Sequence, residues 1–177
     1  CLLAYPSAPE RHDYFVSFLV AAQSIRNSGS QYDIVALVYG QIDEADKALL
    51  REQNIKMVRV GSVGSSLKEN PEAFDLTTAA IYRAKMPVLQ LVEYEMVLSF
   101  DADVVFHKNC DDLFDTSLDF VGRQGSNSPF NAGLYLVRPS WQALVDLHDI
   151  ANTLSFDISN GWLEHGPIAD WRSPQIA

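Results

Sequence analysis

The chain of 177 residues is long enough for one domain with a buried core, and 47% of its residues are hydrophobic while 20% are charged. This balance excludes a disordered chain, and the apolar runs are too short to span a bilayer. The net charge of −10 argues against nucleic acid as the main partner, because phosphate backbones select basic surfaces. An acidic protein that binds an anionic nucleotide therefore needs local positive charge, from a metal ion or a placed Lys.

The ends of the sequence indicate a part of something longer. The first residue is Cys1, no signal peptide is visible, and the chain reaches Ala177 without a closing element. We therefore expect a single domain over residues 1–177 that lacks its C-terminal part. The two cysteines have neither disulfide-framework nor metal-ligand spacing, so the redox compartment stays open.

The first half of the chain alternates strands and helices. Apolar residues at helical spacing predict a helix from about residue 13 to Asn27, and Asp43 can cap a second helix that runs to about residue 53. Apolar or β-branched runs predict strands over 2–5, 33–39 and 55–60. This order of elements is typical of a parallel α/β sheet.

The second half is less regular. A loop over 61–70 leads to a helix that begins at Thr77 or Thr78 and runs toward Leu91, with Pro87 as a kink or restart. Ser140 can cap a last helix that carries apolar residues up to Ile150. The remaining predicted elements are strands over 96–100, 120–122 and 133–137 and one helical turn over 110–115.

The strand over 96–100 ends on two carboxylates, Asp101 and Asp103, separated by Ala102. The carboxyl ends of strands form the edge where open α/β sheets bind ligands. Carboxylate oxygens suit a divalent cation that keeps open positions for phosphate oxygens. The sequence therefore predicts that Asp101 and Asp103 hold a metal ion and that the metal holds a nucleotide diphosphate.

Three other interpretations of the two carboxylates require different sequence features around them. They could be solvated turn residues, because Asp favours loops after strands. A calcium-binding EF-hand loop needs Gly and Glu where this chain has Phe106 and Asp112, so it is excluded. A haloacid-dehalogenase-type phosphatase also carries Asp-x-Asp after a strand, with the first Asp as nucleophile. It predicts the motif near the chain start and a separate second acidic pair, which this sequence lacks.

Several stretches in a fixed order surround the two carboxylates. They are Val20–Arg26, Tyr32–Val38, Lys85 sixteen positions before Asp101, Ser99–Asp103, Asp111–Phe114, Phe130–Tyr135 and Arg138–Ser140. In this ordered set the chain resembles the glycogenin-like glycosyltransferases of family 8, from about residue 2 to residue 150.

The resemblance implies an α/β fold of the GT-A type, a mainly parallel sheet flanked by helices. It implies a retaining enzyme that moves a hexosyl group from a UDP-sugar to an acceptor hydroxyl with Mn²⁺ or Mg²⁺. The implied partners are a nucleotide sugar and a carbohydrate, lipid or protein acceptor. The compartment, cytoplasm or Golgi lumen, and the oligomeric state stay open.

The resemblance also implies roles around the metal. Asp103 would be the stronger metal ligand, while Asp101 would bind the metal and accept hydrogen bonds from ribose or sugar hydroxyls. The backbone of Ala102 would line the same site. Lys85 would reach sugar or phosphate oxygens of the donor, whereas without the resemblance a solvated helix Lys would be the favoured interpretation. Arg83 is a weaker candidate for the same anion.

Two further groups complete the predicted donor site. A Gly at position 133 allows close approach of the backbone to a ligand, and Asn131 offers a donor and an acceptor to sugar hydroxyls, with Ala132 between them. A strand start with a bulge is the alternative. Leu3, Tyr5 and Tyr14 match the family region that packs on uracil and ribose, although Tyr14 could equally be a core aromatic.

Two parts of the family pattern are missing from this sequence. The third metal ligand of the family is a His in a C-terminal motif, and none of His12, His107, His148 and His165 stands in such a motif. The later Asp-Gln pair near the transferred sugar is also absent. A non-catalytic nucleotide-sugar-binding fragment therefore stands beside the phosphatase as an alternative to a transferase.

Overall fold

The computed structural model describes residues 2–5, 12–60, 85–124, 131–153, 156–157 and 161–162. The predicted loop over 61–70, the predicted helix start at Thr77 or Thr78, and the sequence after residue 162 lie outside these residues. Arg83 and His165 therefore stay unplaced.

The first half of the chain forms the predicted parallel sheet. Three strands pair in the order β1–β2–β3, with Leu2 opposite Leu37 and Leu37 opposite Val58. The predicted elements are confirmed within a few residues. They are β1 (Leu2–Tyr5), α1 (His12–Asn27), β2 (Val35–Gly40), α2 (Glu44–Glu52) and β3 (Lys56–Val60).

The second half forms an antiparallel sheet in the order β4–β6–β5. Its strands are β4 (Val97–Phe100), β5 (Phe120–Arg123) and β6 (Asn131–Val137). The prediction of a mainly parallel sheet is therefore wrong for this half and holds only for β1–β3. The connection from β5 to β6 is too short for a parallel pair, which needs a crossover of a dozen or more residues.

The last described elements are a helix and a short ladder. The predicted final helix is α3 (Trp141–Thr153), and the backbone N–H of Ala143 donates to the Ser140 hydroxyl at 3.3 Å, which confirms the predicted cap. Asp43 also stands at its predicted cap position, but its side chain forms no capping hydrogen bond. After α3 the strands β7 (Phe156–Asp157) and β8 (Gly161–Trp162), which the sequence did not predict, pair antiparallel.

Two hydrophobic clusters cover the opposite faces of β2. On one face Phe15 and Phe18 of α1 pack with Ala36, Val38 and Phe100. The other face packs against the 3₁₀ helix Met86–Gln90 and, through partly buried residues, against α3; its buried members include Leu37, Val60, Val88, Leu89, Tyr135 and Val137. Because each cluster contains residues of both sheets, the core is continuous from the parallel sheet to the antiparallel one.

Pro87 determines the conformation after Lys85. In the described part of the predicted helix, residues 86–90 form a 3₁₀ helix with the proline in its first turn, where a missing N–H is tolerated. Pro87, Val88 and Leu89 are buried. This buried turn fixes the position of Lys85 beside the sheet. Among the described helices, none is both long enough and apolar enough to cross a bilayer.

An exposed polar cluster joins the start of β3 to the segments before β2 and β4. Lys56 Nζ lies 2.6 Å from Asp33 Oδ2 and donates to the Tyr94 hydroxyl at 3.1 Å, and this hydroxyl donates to Asp33 Oδ2 at 3.1 Å. The Lys56 ammonium also lies 5.4 Å from the centre of the Tyr94 ring. Hydrogen bonds from Lys56 and then Tyr94 lower the pKa of Asp33 below its usual value.

This lowered pKa predicts a pH-dependent contribution to stability. The ionised carboxylate of Asp33 is favoured in the folded chain, so its contribution is present above the unfolded-state pKa and is lost as the pH falls through the folded-state value. We expect Asp33→Asn to lower the melting temperature slightly at pH 7, and the difference from the wild type to shrink below about pH 4. Thermal melts followed by circular dichroism across this range measure it. A constant difference at every pH would contradict the prediction.

Candidate active site

The carboxyl end of β4 meets the beginning of β6 because these strands are antiparallel. Phe100 lies opposite Leu134, and the backbone N–H of Asp101 donates to the carbonyl of Gly133 at 2.8 Å. The first predicted carboxylate and the predicted Asn131–Gly133 segment therefore lie together. More than two dozen residues of sequence separate them, so only the strand pairing shows this contact.

The two carboxylates lie on one tight turn. The backbone N–H of Val104 donates to the carbonyl of Asp101 at 3.1 Å, so residues 101–104 form a turn that directly follows β4. Ala102 and Val104 pack against the cluster that contains Phe100, whereas Asp103 is exposed. The turn therefore keeps its apolar residues on the core and its second carboxylate at the surface.

Lys85 forms an ion pair with the first carboxylate. Its Nζ lies 2.7 Å from Asp101 Oδ1 and donates to the carbonyl of Ala132 at 3.1 Å. The Lys85 side chain is 17% exposed and that of Asp101 is 41% exposed. The interpretation of Lys85 as a solvated helix Lys is therefore wrong.

Gly133 allows the backbone of β6 to approach this pair closely. A Cβ atom at this position would lie 2.9 Å from Asn131 Oδ1 and 3.3 Å from Asp101 Oδ2, so any larger residue would displace one of them. The Asn131 side-chain oxygen accepts from the backbone N–H of Gly133 at 2.7 Å. The amide oxygen of Asn131 is therefore used within the chain, and its NH₂ group is the part that can donate to a ligand.

A break in the β5–β6 ladder shapes the same edge. Gly122 lies opposite Tyr135, but the next residue, Arg123, lies opposite Asn131. Residues 132–134 are thereby released from pairing with β5, and the carbonyl of Ala132 accepts from Lys85. The alternative that the sequence left open, a strand start with a bulge, describes this backbone correctly and is compatible with a ligand site, since bulges are common beside active sites.

Tyr135 supports the segment that carries Lys85. Its hydroxyl is 3.5 Å from the backbone carbonyl of Lys85, and the residue is 7% exposed. Burial raises the pKa of this phenol, the hydrogen bond with Ser99 opposes the rise, and the charge of Asp101 adds to it. Tyr135 therefore stays a neutral hydroxyl at physiological pH. Its strand was predicted, but the sequence carries no signal that links it to Lys85.

The remaining predicted nucleotide contacts are only partly placed. Leu3 and Tyr5 belong to β1, and their side chains lie outside the described part of the chain. Tyr14 is 60% exposed on the first turn of α1, so the alternative of a core aromatic is wrong. Its contact with a nucleotide stays a prediction. His107 is exposed.

The donor chemistry of the turn fits a hard divalent cation. Two carboxylates suffice for a site that shares its ion with substrate phosphates. Within the described residues, no group of three or more His, Cys, Asp or Glu side chains is placed to hold a metal. Among the described residues, Asp101 and Asp103 are thus the candidate metal ligands, and this role stays a prediction.

A cavity of about 510 Å³ lies apart from these residues. It runs beside β2 and β4 and is lined by residues that include Tyr32, Val35, Tyr94, Val97 and Arg138. Asp101, Lys85 and Gly133 do not line it. The candidate site is therefore an open sheet edge among the described residues and not this cavity.

Comparisons with known proteins place the chain among glycosyltransferases. It is 29% identical over 153 residues to inositol phosphorylceramide glucuronosyltransferase 1 of Arabidopsis thaliana, covering 86% of this chain and 27% of the relative. It is 34% identical over 137 residues to putative UDP-glucuronate:xylan alpha-glucuronosyltransferase 3 of the same plant, covering 75% and 21%. Identity to glycogenin-1 of Caenorhabditis elegans is 24% over 163 residues, covering 90% and 38%.

The chain thus spans well under half the length of these relatives. The family profile described as glycosyl transferase family 8 matches residues 10–142, which is most of the chain. This range contains Lys85, the turn over 101–104 and the Asn131–Gly133 segment. The family suggested by the order of these motifs is confirmed, and the chain belongs to glycosyl transferase family 8.

Proposed function

We propose that the chain carries the donor site of a retaining glycosyltransferase with a GT-A-type fold. The whole protein would move a hexosyl group from a UDP-sugar to an acceptor hydroxyl, assisted by Mn²⁺ or Mg²⁺. Family membership supports the reaction class. The observation that carries the proposal is the contact of Lys85, Asp101 and Gly133 at the carboxyl end of β4, which brings a cation, a carboxylate and the closely approaching backbone of β6 to one sheet edge.

Each described residue then has a distinct role toward the donor. Asp103, exposed on the turn, would be the main metal ligand, and Asp101 would share the ion and orient ribose or sugar hydroxyls. When bound, the divalent cation would supply positive charge to the departing diphosphate. Ala102 would line the site with its backbone, and Gly133 allows Asn131 and Asp101 to approach each other closely beside it.

Lys85 would stabilise the charge that develops on the leaving diphosphate. Its ammonium is held in place by Asp101 and the Ala132 carbonyl, so little reorganisation is needed as the bond to the sugar breaks. The NH₂ group of Asn131 would donate to a sugar hydroxyl. No side chain is assigned as a nucleophile: the acceptor hydroxyl attacks from the face that the diphosphate leaves, and the configuration is retained.

The names of the relatives indicate which classes of acceptor the whole protein would use. Their names specify transfer to inositol phosphorylceramide, which is a lipid, and to xylan, which is a carbohydrate. Both classes agree with the range of acceptors expected from the sequence. We propose a carbohydrate or lipid hydroxyl as the acceptor.

The alternatives make different predictions for the same turn. A phosphatase would use Asp101 as a nucleophile, but family 8 membership favours the transferase. A non-catalytic binding fragment would bind the nucleotide sugar without turnover. This second alternative has the same donor contacts, so an assay has to separate it.

Calorimetry with UDP tests the proposal. We expect the Kd for UDP to fall at least about tenfold, ~1.4 kcal/mol, when Mn²⁺ replaces EDTA, because the ion would join the carboxylates to the diphosphate. A parallel assay with a UDP-sugar follows release of UDP and of inorganic phosphate. An equal Kd for UDP in Mn²⁺ and in EDTA would contradict the proposed metal site. Release of inorganic phosphate in place of UDP would support the phosphatase.

A further inference from the structure

Arg123 stands at the same sheet edge as the candidate site. It is the last residue of β5, it is exposed, and it lies opposite Asn131 in the antiparallel register. Residues in such a pair have Cα atoms about 5 Å apart, and an Arg side chain is longer than this distance. The ladder irregularity falls between Gly122 and Arg123, and bulges of this kind redirect the side chains that follow them.

The charges around the site suggest a role for a positively charged side chain in addition to Lys85. Lys85 is already held by Asp101 and the Ala132 carbonyl and is assigned to the leaving diphosphate, so it is not free to bind a second anion. The exposed carboxylate of Asp103 lies on the same turn, and the whole chain carries a net charge of −10. A negatively charged sugar beside these carboxylates would be stabilised by a further cation on the sugar side of the site.

Arg123 is available for that purpose. Arg26 and Arg138, by contrast, donate hydrogen bonds to groups of their own chain. For Arg123 the described residues provide no ion pair. Its guanidinium presents a planar set of donors that matches a carboxylate with two parallel hydrogen bonds.

We propose that Arg123 is a specificity residue that binds a carboxylate on the transferred sugar. This inference rests on the proposed function and extends it: the donor is a nucleoside diphosphate sugar of the uronic acid class. Asn131 would contact a hydroxyl of the sugar, while Arg123 on the neighbouring strand pairs with the carboxylate. A neutral hexose would occupy the same place without this ion pair.

Competing sugar nucleotides measure this role directly. The chain is titrated with UDP-glucuronate and with UDP-glucose in Mn²⁺, and the ratio of the two Kd values defines its preference. We expect the wild type to prefer UDP-glucuronate and Arg123→Gln to reduce the preference at least about tenfold, because a charged hydrogen-bonded pair is lost. Arg123→Lys should retain part of it, since a point charge replaces a two-pronged contact.

Arg59→Gln is the matched control, because Arg59 is also an exposed strand Arg but lies on β3 of the parallel sheet. Its preference should equal that of the wild type. An unchanged ratio in Arg123→Gln, or an equal change in Arg59→Gln, would overturn the role of Arg123 while leaving the proposed function intact. Failure of the wild type to bind either sugar nucleotide would overturn the proposed function and this inference with it.

Discussion

Asparagine in place of either turn carboxylate is expected to abolish metal-dependent sugar transfer. An amide keeps the shape of Asp101 or Asp103 but removes the negative charge that holds a divalent cation. A bound metal ion stabilises the charge of the transition state by several kcal/mol, so we expect kcat/KM to fall at least about 1,000-fold when it is lost. The measurement is steady-state release of UDP from the donor across a range of Mn²⁺ concentrations.

The two substitutions should differ in their effect on stability. Asp103 is exposed, so Asp103→Asn should leave the melting temperature unchanged. Asp101→Asn breaks the pair with Lys85, which is partly solvent-screened, and should cost about 1 kcal/mol. Asp115→Asn, which changes an exposed carboxylate directly after the 3₁₀ helix Asp111–Phe114, is the control. Normal turnover of Asp103→Asn in Mn²⁺ would contradict the metal role.

Loss of the Lys85 ammonium is expected to lower turnover more than donor binding. Methionine keeps most of the side-chain volume of Lys85, so Lys85→Met removes chiefly the charge. If the ammonium stabilises the departing diphosphate, kcat should fall about 100-fold, or roughly 3 kcal/mol, while the Kd for UDP changes less. Single-turnover kinetics and calorimetry with UDP separate the two quantities.

Lys56→Met provides the comparison for this variant. Lys56 is also paired with an Asp and with a Tyr hydroxyl, but its cluster lies at the start of β3, away from Asp101. It should lose some stability and retain its turnover. A Lys85→Met protein that is less stable yet transfers sugar at the wild-type rate would show that Lys85 has only a structural role.

Local patterns were enough for most elements and for the components of the site. Apolar or β-branched runs identified β1 to β3, and the cap at Ser140 identified the start of α3. The order of motifs identified the family. These predictions succeeded because periodicity, capping and motif order are properties of neighbouring residues, which the chain carries whatever its tertiary structure.

The predictions that failed involve contacts between distant residues. The mainly parallel sheet was inferred from the first half of the chain, and β4 to β6 instead pair antiparallel. Lys85 was open to interpretation as a solvated residue because nothing near it in sequence shows its partner, Asp101. Neither Tyr135 nor Arg123 was recognised, since burial brings Tyr135 to Lys85 and strand register places Arg123 opposite Asn131.

The sequence by itself determined which groups this protein has for its chemistry: two carboxylates after an apolar strand, a lysine sixteen residues earlier, and an Asn-Ala-Gly segment downstream. Only the tertiary structure decided that they meet. The antiparallel pairing of β4 with β6 brings Gly133 against Asp101, and the buried 3₁₀ turn at Pro87 directs Lys85 to the same carboxylate. Such pairing depends on the packing free energy of the whole core, which no single segment encodes.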